Sequence, residues 1–206
     1  MKGQDDPTSN SSRDLARGAS FSPADKNPRM STRRVYAGRV INVDVDTVRF
    51  PNGTVGDLEM VRHPGASAVV PFLSAVGGED PQLLLLKQYR YAAEDFLYEV
   101  PAGRLDSGES PIDCARRELK EETGCDAERV TLMTTVFTTP GFTDEKIHLF
   151  FAEGLTRGVA RPEADEMISV ETLTLSRALA LIKDGVIRDA KSALALLFAA
   201  GFVAGG

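Results

Sequence analysis

From Val35 to Phe50 apolar and polar residues alternate in VYAGRVINVDVDTVRF, pause at Pro51-Asn52-Gly53, and alternate again through TVGDLEMVRH. A period of two on both sides of an Asn-Gly turn predicts a small antiparallel β element. Two denser apolar runs follow, SAVVPFLSAV and QLLLLKQYRY, parted by a Gly-Gly-Glu-Asp turn, and then YEVPAGRLD. Short, apolar and bounded by turn residues, these runs read as strands, as do RVTLMTTVFTT and KIHLFFAEGL further on. Helical spacing takes over from Ser110 to Gly124, from Ser176 to about Asp184, and from about Lys191 to Phe198. Strands around a central helix, with further helices behind, predict an α/β fold without any internal repeat.

Residues 1–32 are different: polar, rich in Ser, Asp and Pro, and almost without large apolar side chains. Such a segment buries too little surface to offset chain entropy and is expected to be disordered, with Met30 a second candidate start. Three parts are therefore expected: 1–32, the β element at 33–62, and a main domain over 63–206. With 206 residues and 42% hydrophobic content, the chain can bury one good core. A net charge of −6 and a pI near 5.1 argue against a nucleic-acid backbone as partner, since that role calls for a basic face. No apolar run is long enough to span a membrane, and the N-terminus lacks an apolar signal core, so a cytoplasmic protein is expected. Cys114 and Cys125 sit eleven positions apart at opposite ends of one helix. A separation of roughly 16 Å forbids a disulfide, and both read as free thiols of a reducing compartment.

The chemistry concentrates in that helix. Ser110 suits the N-cap, Pro111 the first helical position, and Gly124 a left-handed end. Ile112, Ala115 and Leu119 recur as the buried stripe, and Glu118, Glu121 and Glu122 cluster about a quarter-turn away, on the rim of the core. Like charges so close repel, and no Lys or Arg follows four residues later to relieve them. Clustered carboxylates without thiolate or imidazole companions call for a hard cation, Mg²⁺ or Mn²⁺, of the kind that bridges phosphates. Gly103 is expected to let the backbone turn closely against ion or phosphate, and Arg117 to tie Glu109 or Glu121 into a fixed rotamer.

The segment GRLDSGESPIDCARRELKEETGC, with Gly103, Glu109, Arg117, Glu118, Glu121, Glu122 and Gly124 at fixed intervals, resembles the Nudix box at every charged and glycine position. Seven such positions at roughly one in fifteen each arise by chance on the order of 10⁻⁸ per starting point. Only Cys125, in the last aliphatic slot, departs mildly. The resemblance implies a Nudix α/β/α sandwich with a mixed sheet and a hydrolase of nucleoside diphosphates linked to another moiety. It also implies metal held by Glu118, Glu121, Glu122 and the backbone carbonyl of Ala102.

Pro140, fifteen residues past Cys125 in TTPGFTDEKIHLFFA, together with HPGA at 63–66 and KQYRYAAEDFLYEVPAG at 87–103, looks like the ADP-ribose pyrophosphatase subgroup. That likeness implies Mg²⁺-dependent cleavage of ADP-ribose to AMP and ribose 5-phosphate, in a homodimer paired through the N-terminal β element. Arg90 is the candidate phosphate contact, because a guanidinium fork matches phosphate oxygens and stays charged. Phe142, with Tyr36 and Tyr89, is a candidate for stacking on adenine. In the loop TRGVARPEADEMISV the likeness selects Glu166 as metal ligand or general base, with Glu163 in reserve. The remaining readings are a Nudix hydrolase of another nucleotide sugar or dinucleotide, such as GDP-mannose or ADP-glucose, and a Nudix module that senses a nucleotide without hydrolysing it.

Overall fold

The computed structural model describes residues 28–161 and 167–204. Glu163, Glu166 and most of the polar N-terminal segment therefore lie outside the described residues.

The N-terminal element is a three-stranded antiparallel meander of β1 (Arg29–Ala37), β2 (Asn42–Arg49) and β3 (Val55–Arg62). Its second turn is the expected one: Phe50 N donates to Thr54 O at 2.8 Å, Asn52 Oδ1 accepts from Thr54 N at 3.0 Å, and Gly53 takes a φ of +85°. The alternating run before it is not one strand but two. At Gly38 the chain doubles back, with Gly38 N donating to Ile41 O at 3.0 Å, and a β carbon there would lie 2.6 Å from the Tyr36 ring. The strand also begins at Arg29, so the last residues grouped with the polar segment belong to the sheet.

Two further sheets form the main body. β4 (Ala66–Pro71), β7 (Ala102–Arg104), β8 (Cys125–Phe137) and β9 (Lys146–Arg157) make a mixed sheet in the order β7-β4-β9-β8, with β4 parallel to β9. β5 (Gln82–Arg90), β6 (Asp95–Glu99) and β10 (Ile168–Thr174) make an antiparallel sheet in the order β10-β5-β6. Alternate side chains of the central strands serve opposite faces, as the pleat requires. Ala68, Val70, Leu83, Leu85 and Leu149 pack on α2 (Leu175–Lys183) and α3 (Ala190–Phe202). Val69, Leu84 and Phe150 turn the other way, onto Ala115 and Leu119 of α1 (Pro111–Thr123). The result is a sandwich of helix, sheets and helices. Among the described residues no helix is long and apolar enough to cross a membrane.

α1 starts and stops where its end signals put it: Ser110 Oγ accepts from Asp113 N, Pro111 opens the helix, and Gly124 closes it at φ +73°. Its roll about the axis differs from the expected one. Ile112 is exposed, while Cys114, Ala115, Glu118, Leu119 and Glu122 are buried. The reason is the neighbour met at each level: the helix start is tied to β4 by Ser67 Oγ, which donates to Pro111 O at 2.7 Å, and its inner face then meets the backbone of β7. Glu118 and Glu122 thus stand inside the seam and not on the rim of the core.

Leu119 is fully buried among Val69, Leu84 and Phe150, so Leu119→Ala removes the anchor of α1. The expected loss is about 2–5 kcal/mol of unfolding free energy, read as a lower urea midpoint at unchanged slope.

Candidate active site

The seam between α1 and β7 is built around a missing side chain. A β carbon on Gly103 would fall 1.8 Å from Glu118 Oε1 and 2.1 Å from its carboxyl carbon, so only glycine leaves room for that carboxylate over the strand. Gly103 has no positive φ; what it supplies is close approach, where a tight turn was expected. Beside it, Glu122 Oε2 accepts from Ala102 N at 2.9 Å, and β7 is itself held by pairing with Ser67 and Ala68 of β4. Cys114 completes the seam from the helix side, its thiol 3.5 and 3.4 Å from the carbonyls of Gly103 and Arg104. Burial pushes that thiol up to about 11.

Arg117 gathers the acids. Its Nε and Nη2 fork onto Glu109 at 2.8 and 3.0 Å, its Nη1 reaches Glu118 at 2.6 Å and Glu121 at 3.0 Å, and Nη2 also donates to Arg104 O at 3.0 Å. The cation that appeared to be missing from the helix is thus partly supplied from within, four residues before Glu121 instead of four after. Hydrogen bonding to Glu109, with Glu118 and Glu121 behind it, raises the guanidinium further above its ordinary range. Glu109 in turn is held down to about 2, chiefly by its bond to Arg117.

Of these, Ala102, Gly103, Arg104, Arg117, Glu118 and Glu121 line one wall of a cleft of about 520 Å³. Across it, Arg90 forks onto Glu99 at 2.7 and 2.8 Å, and Lys191 from the start of α3 bonds both Glu99 and, at 2.9 Å, Asp189. Burial alone would raise the Glu99 carboxyl, but Arg90 and Lys191 outweigh it and leave it below the usual range. Arg90 therefore lies on the cleft, as a phosphate contact must, but shares its fork with a buried acid. Phe142 is more than half exposed and does not line the cleft, whereas Glu145 of the same loop does, with His63 at 3.3 Å.

Glu99, Lys191, His63 and Glu145 were not singled out from sequence as site residues. Glu99 carried a signal, an acid inside the apolar run FLYEVPA, and so did Lys191, a lone cation in an apolar helix. His63 and Glu145 carried none, since 82 residues separate them and only the fold joins them.

Glu118, Glu121, Glu122 and the Ala102 carbonyl are all hard oxygen donors, which is the set a Mg²⁺ ion takes. Among the described residues no three acidic, histidine or cysteine side chains converge on one point, because Glu118 and Glu121 lean on Arg117 and Glu122 on Ala102 N. The donors fit the ion in kind.

The NUDIX domain profile matches residues 63–196, a span that holds this whole constellation. The chain belongs to the NUDIX family. A methanol dehydrogenase activator of Bacillus methanolicus is 40% identical over 171 residues, 82% of this chain and 90% of that protein. An ADP-ribose pyrophosphatase of Bacillus subtilis (strain 168) is 37% identical over the same shares. A solved structure of an ADP compounds hydrolase superposes with a TM-score of 0.72 over 86% of this chain and 94% of that one, at 23% identity, which is a likeness of fold. The chain is a Nudix pyrophosphatase with ADP-ribose pyrophosphatases among its relatives, and hydrolases of this family generally use divalent metal ions.

Two outcomes follow from the seam of this Nudix chain. Gly103→Ala forces the Glu118 carboxylate aside, and hydrolytic turnover is expected to fall about tenfold or more while circular dichroism stays that of the folded chain. Glu109 lies at about 2 in the folded chain against an ordinary 4.5, so its stabilising tie to Arg117 is complete above about pH 4.5 and is lost as pH falls towards 2. Glu109→Gln should therefore flatten the pH dependence of unfolding free energy between those limits and lower stability above them.

Proposed function

We propose that this chain hydrolyses the pyrophosphate bond of ADP-ribose, with Mg²⁺, to AMP and ribose 5-phosphate. The observation that carries the reading is a single cleft with hard oxygen donors on one wall and Arg90 and Lys191 on the other. A diphosphate flanked by two larger groups is the ligand that needs both walls at once. Glu118, Glu121, Glu122 and the Ala102 carbonyl are the groups assigned to the ion, and Glu166 is a further candidate. Bound there, the ion supplies charge neutralisation and lowers the pKa of water.

The chain's own residues do the rest. Arg117 offsets the mutual repulsion of Glu109, Glu118 and Glu121 before substrate arrives and keeps Glu109 as its partner afterwards. Gly103 holds the β7 backbone open to the Glu118 carboxylate, and Arg90 orients the diphosphate oxygens. Water attacks one phosphorus, its proton passing to Glu166 or to a box glutamate, and the sugar phosphate leaves. The protein is read as a homodimer, which the exposed Met30, Val35 and Tyr36 of β1 favour. A cytoplasmic location is in keeping with the free, buried thiols Cys114 and Cys125.

The test is chromatography of products from ADP-ribose, ADP-glucose, GDP-mannose and a dinucleotide, with Mg²⁺ and with excess chelator. ADP-ribose is expected to give AMP and ribose 5-phosphate at the highest kcat/KM, and the chelator to abolish turnover. Glu122→Gln, which keeps shape and the bond from Ala102 N, should lower kcat at least about 100-fold, equivalent to about 2.7 kcal/mol of transition-state stabilisation. Preference for GDP-mannose, or wild-type turnover by Glu122→Gln, would overturn the assignment.

A further inference from the structure

Outside the cleft, one guanidinium joins parts of the chain that have no sequence in common. Asp44 and Asp46 are two residues apart on β2, so both project to one face, and both are buried there. Arg62, paired in register with Asn42, ends β3 on that same face. Its Nε donates to Asp44 at 3.1 Å, Nη2 bonds Asp46, and Nη1 reaches out of the sheet to Asp144 at 3.1 Å. Arg34 adds a second cation to Asp44, and the Thr32 hydroxyl donates to Asp46 at 2.7 Å.

Asp144 belongs to the loop from Pro140 to Glu145, and that loop is laid along the end of β3. Val61 N donates to Phe142 O at 2.7 Å, Asp144 N donates to Val61 O at 3.3 Å, and His63 N donates to Asp144 Oδ1 at 3.0 Å. The next step along each segment is the pair His63 and Glu145, which enters the cleft.

We propose that Arg62 is a positioning residue: by clamping Asp144 to the buried pair Asp44 and Asp46, it holds the 140–145 loop against β3 and so sets where His63 and Glu145 stand on the cleft rim. Without the clamp three carboxylates face one another, with only Arg34 on Asp44 and the more distant charge of Arg29 on Asp46 to offset them among the described residues. Asp44 and Asp46 are fixed in the middle strand of the sheet, whereas the Asp144 side chain is 42% exposed, so the repulsion is relieved by movement of the loop. His63 and Glu145 line the same cleft but are not among the groups assigned to the ion, so their displacement weakens the grip on substrate more than it slows the bond-breaking step.

The inference rests on the cleft being a nucleoside diphosphate sugar site, and the test has one arm that does not. Amide hydrogen exchange of the full chain and steady-state kinetics on ADP-ribose are measured for wild type, Arg62→Met, Asp144→Ala, the double variant, and Thr47→Ala, which removes an exposed bond to Asp57 in the same sheet. Arg62→Met and Asp144→Ala should each speed exchange at 61–63 and 142–144 about tenfold or more with β2 amides unchanged, and raise KM about fivefold or more with kcat within about twofold. The double variant should be no worse than the more affected single one, and Thr47→Ala should match wild type. Unchanged exchange at those amides overturns the proposal whatever the substrate proves to be. So does faster exchange spread evenly over the sheet, or a loss of kcat at unchanged KM, because those are the marks of a residue that only stabilises the fold. Failure of the wild type to turn over any nucleotide sugar would sink the functional reading and leave the exchange arm to decide this one.

Discussion

A carboxylate lying on a strand with no side chain beneath it is the constraint from which the rest of the molecule can be read. Glu118 cannot occupy its position unless residue 103 is glycine, and residue 103 cannot lie there unless β7 is pinned to β4. Pinning β7 also presents the Ala102 amide to Glu122, so two acids of one helix are fixed by two neighbouring residues of one short strand. The third acid, Glu121, is left half-exposed beside Arg117. The electrostatic cost of collecting these groups is met locally, by one guanidinium whose five donors are spread over three carboxylates and a carbonyl.

The two walls of the cleft solve the same problem with opposite signs. On the α1 side one cation serves three acids, and on the α3 side one buried acid, Glu99, serves two cations. Each cluster is internally paired, which lets both charges persist in a half-enclosed space. Each is also close to the substitution that a metal diphosphate would make, since such a ligand brings cation to the first wall and anion to the second. On the proposed function, a metal diphosphate would exchange one set of ion pairs for another and leave little charge buried naked.

How far the sequence could be read depended on the range of the interaction that decides each feature. Caps, turns and strand alternation act over a few residues, so α1 from Pro111 to Thr123, the Asn52-Gly53 turn and the central strands were all foreseeable. The box spacing likewise stays within one helix and the strand before it. What escaped were features set between distant segments. The roll of α1 exposes Ile112 and buries Cys114 because of what β7 presents to it, and no local pattern records that. Glu99 with Lys191, and His63 with Glu145, are neighbours only through the crossing of strands and helices. Gly103 was expected to let the backbone turn tightly against ion or phosphate, and what the fold adds is its close approach to the Glu118 carboxylate, fifteen residues away and set by how α1 packs on β7.

Cys114 turns the same seam into its own stopwatch. Burial pushes the thiol up to about 11, so it stays protonated at neutral pH, and β7 covers it besides. An alkylating reagent can reach it only in the moments when strand and helix part, so the pace of labelling counts those partings. A change that holds Glu118 and Glu122 more firmly on the strand would be expected to slow that clock.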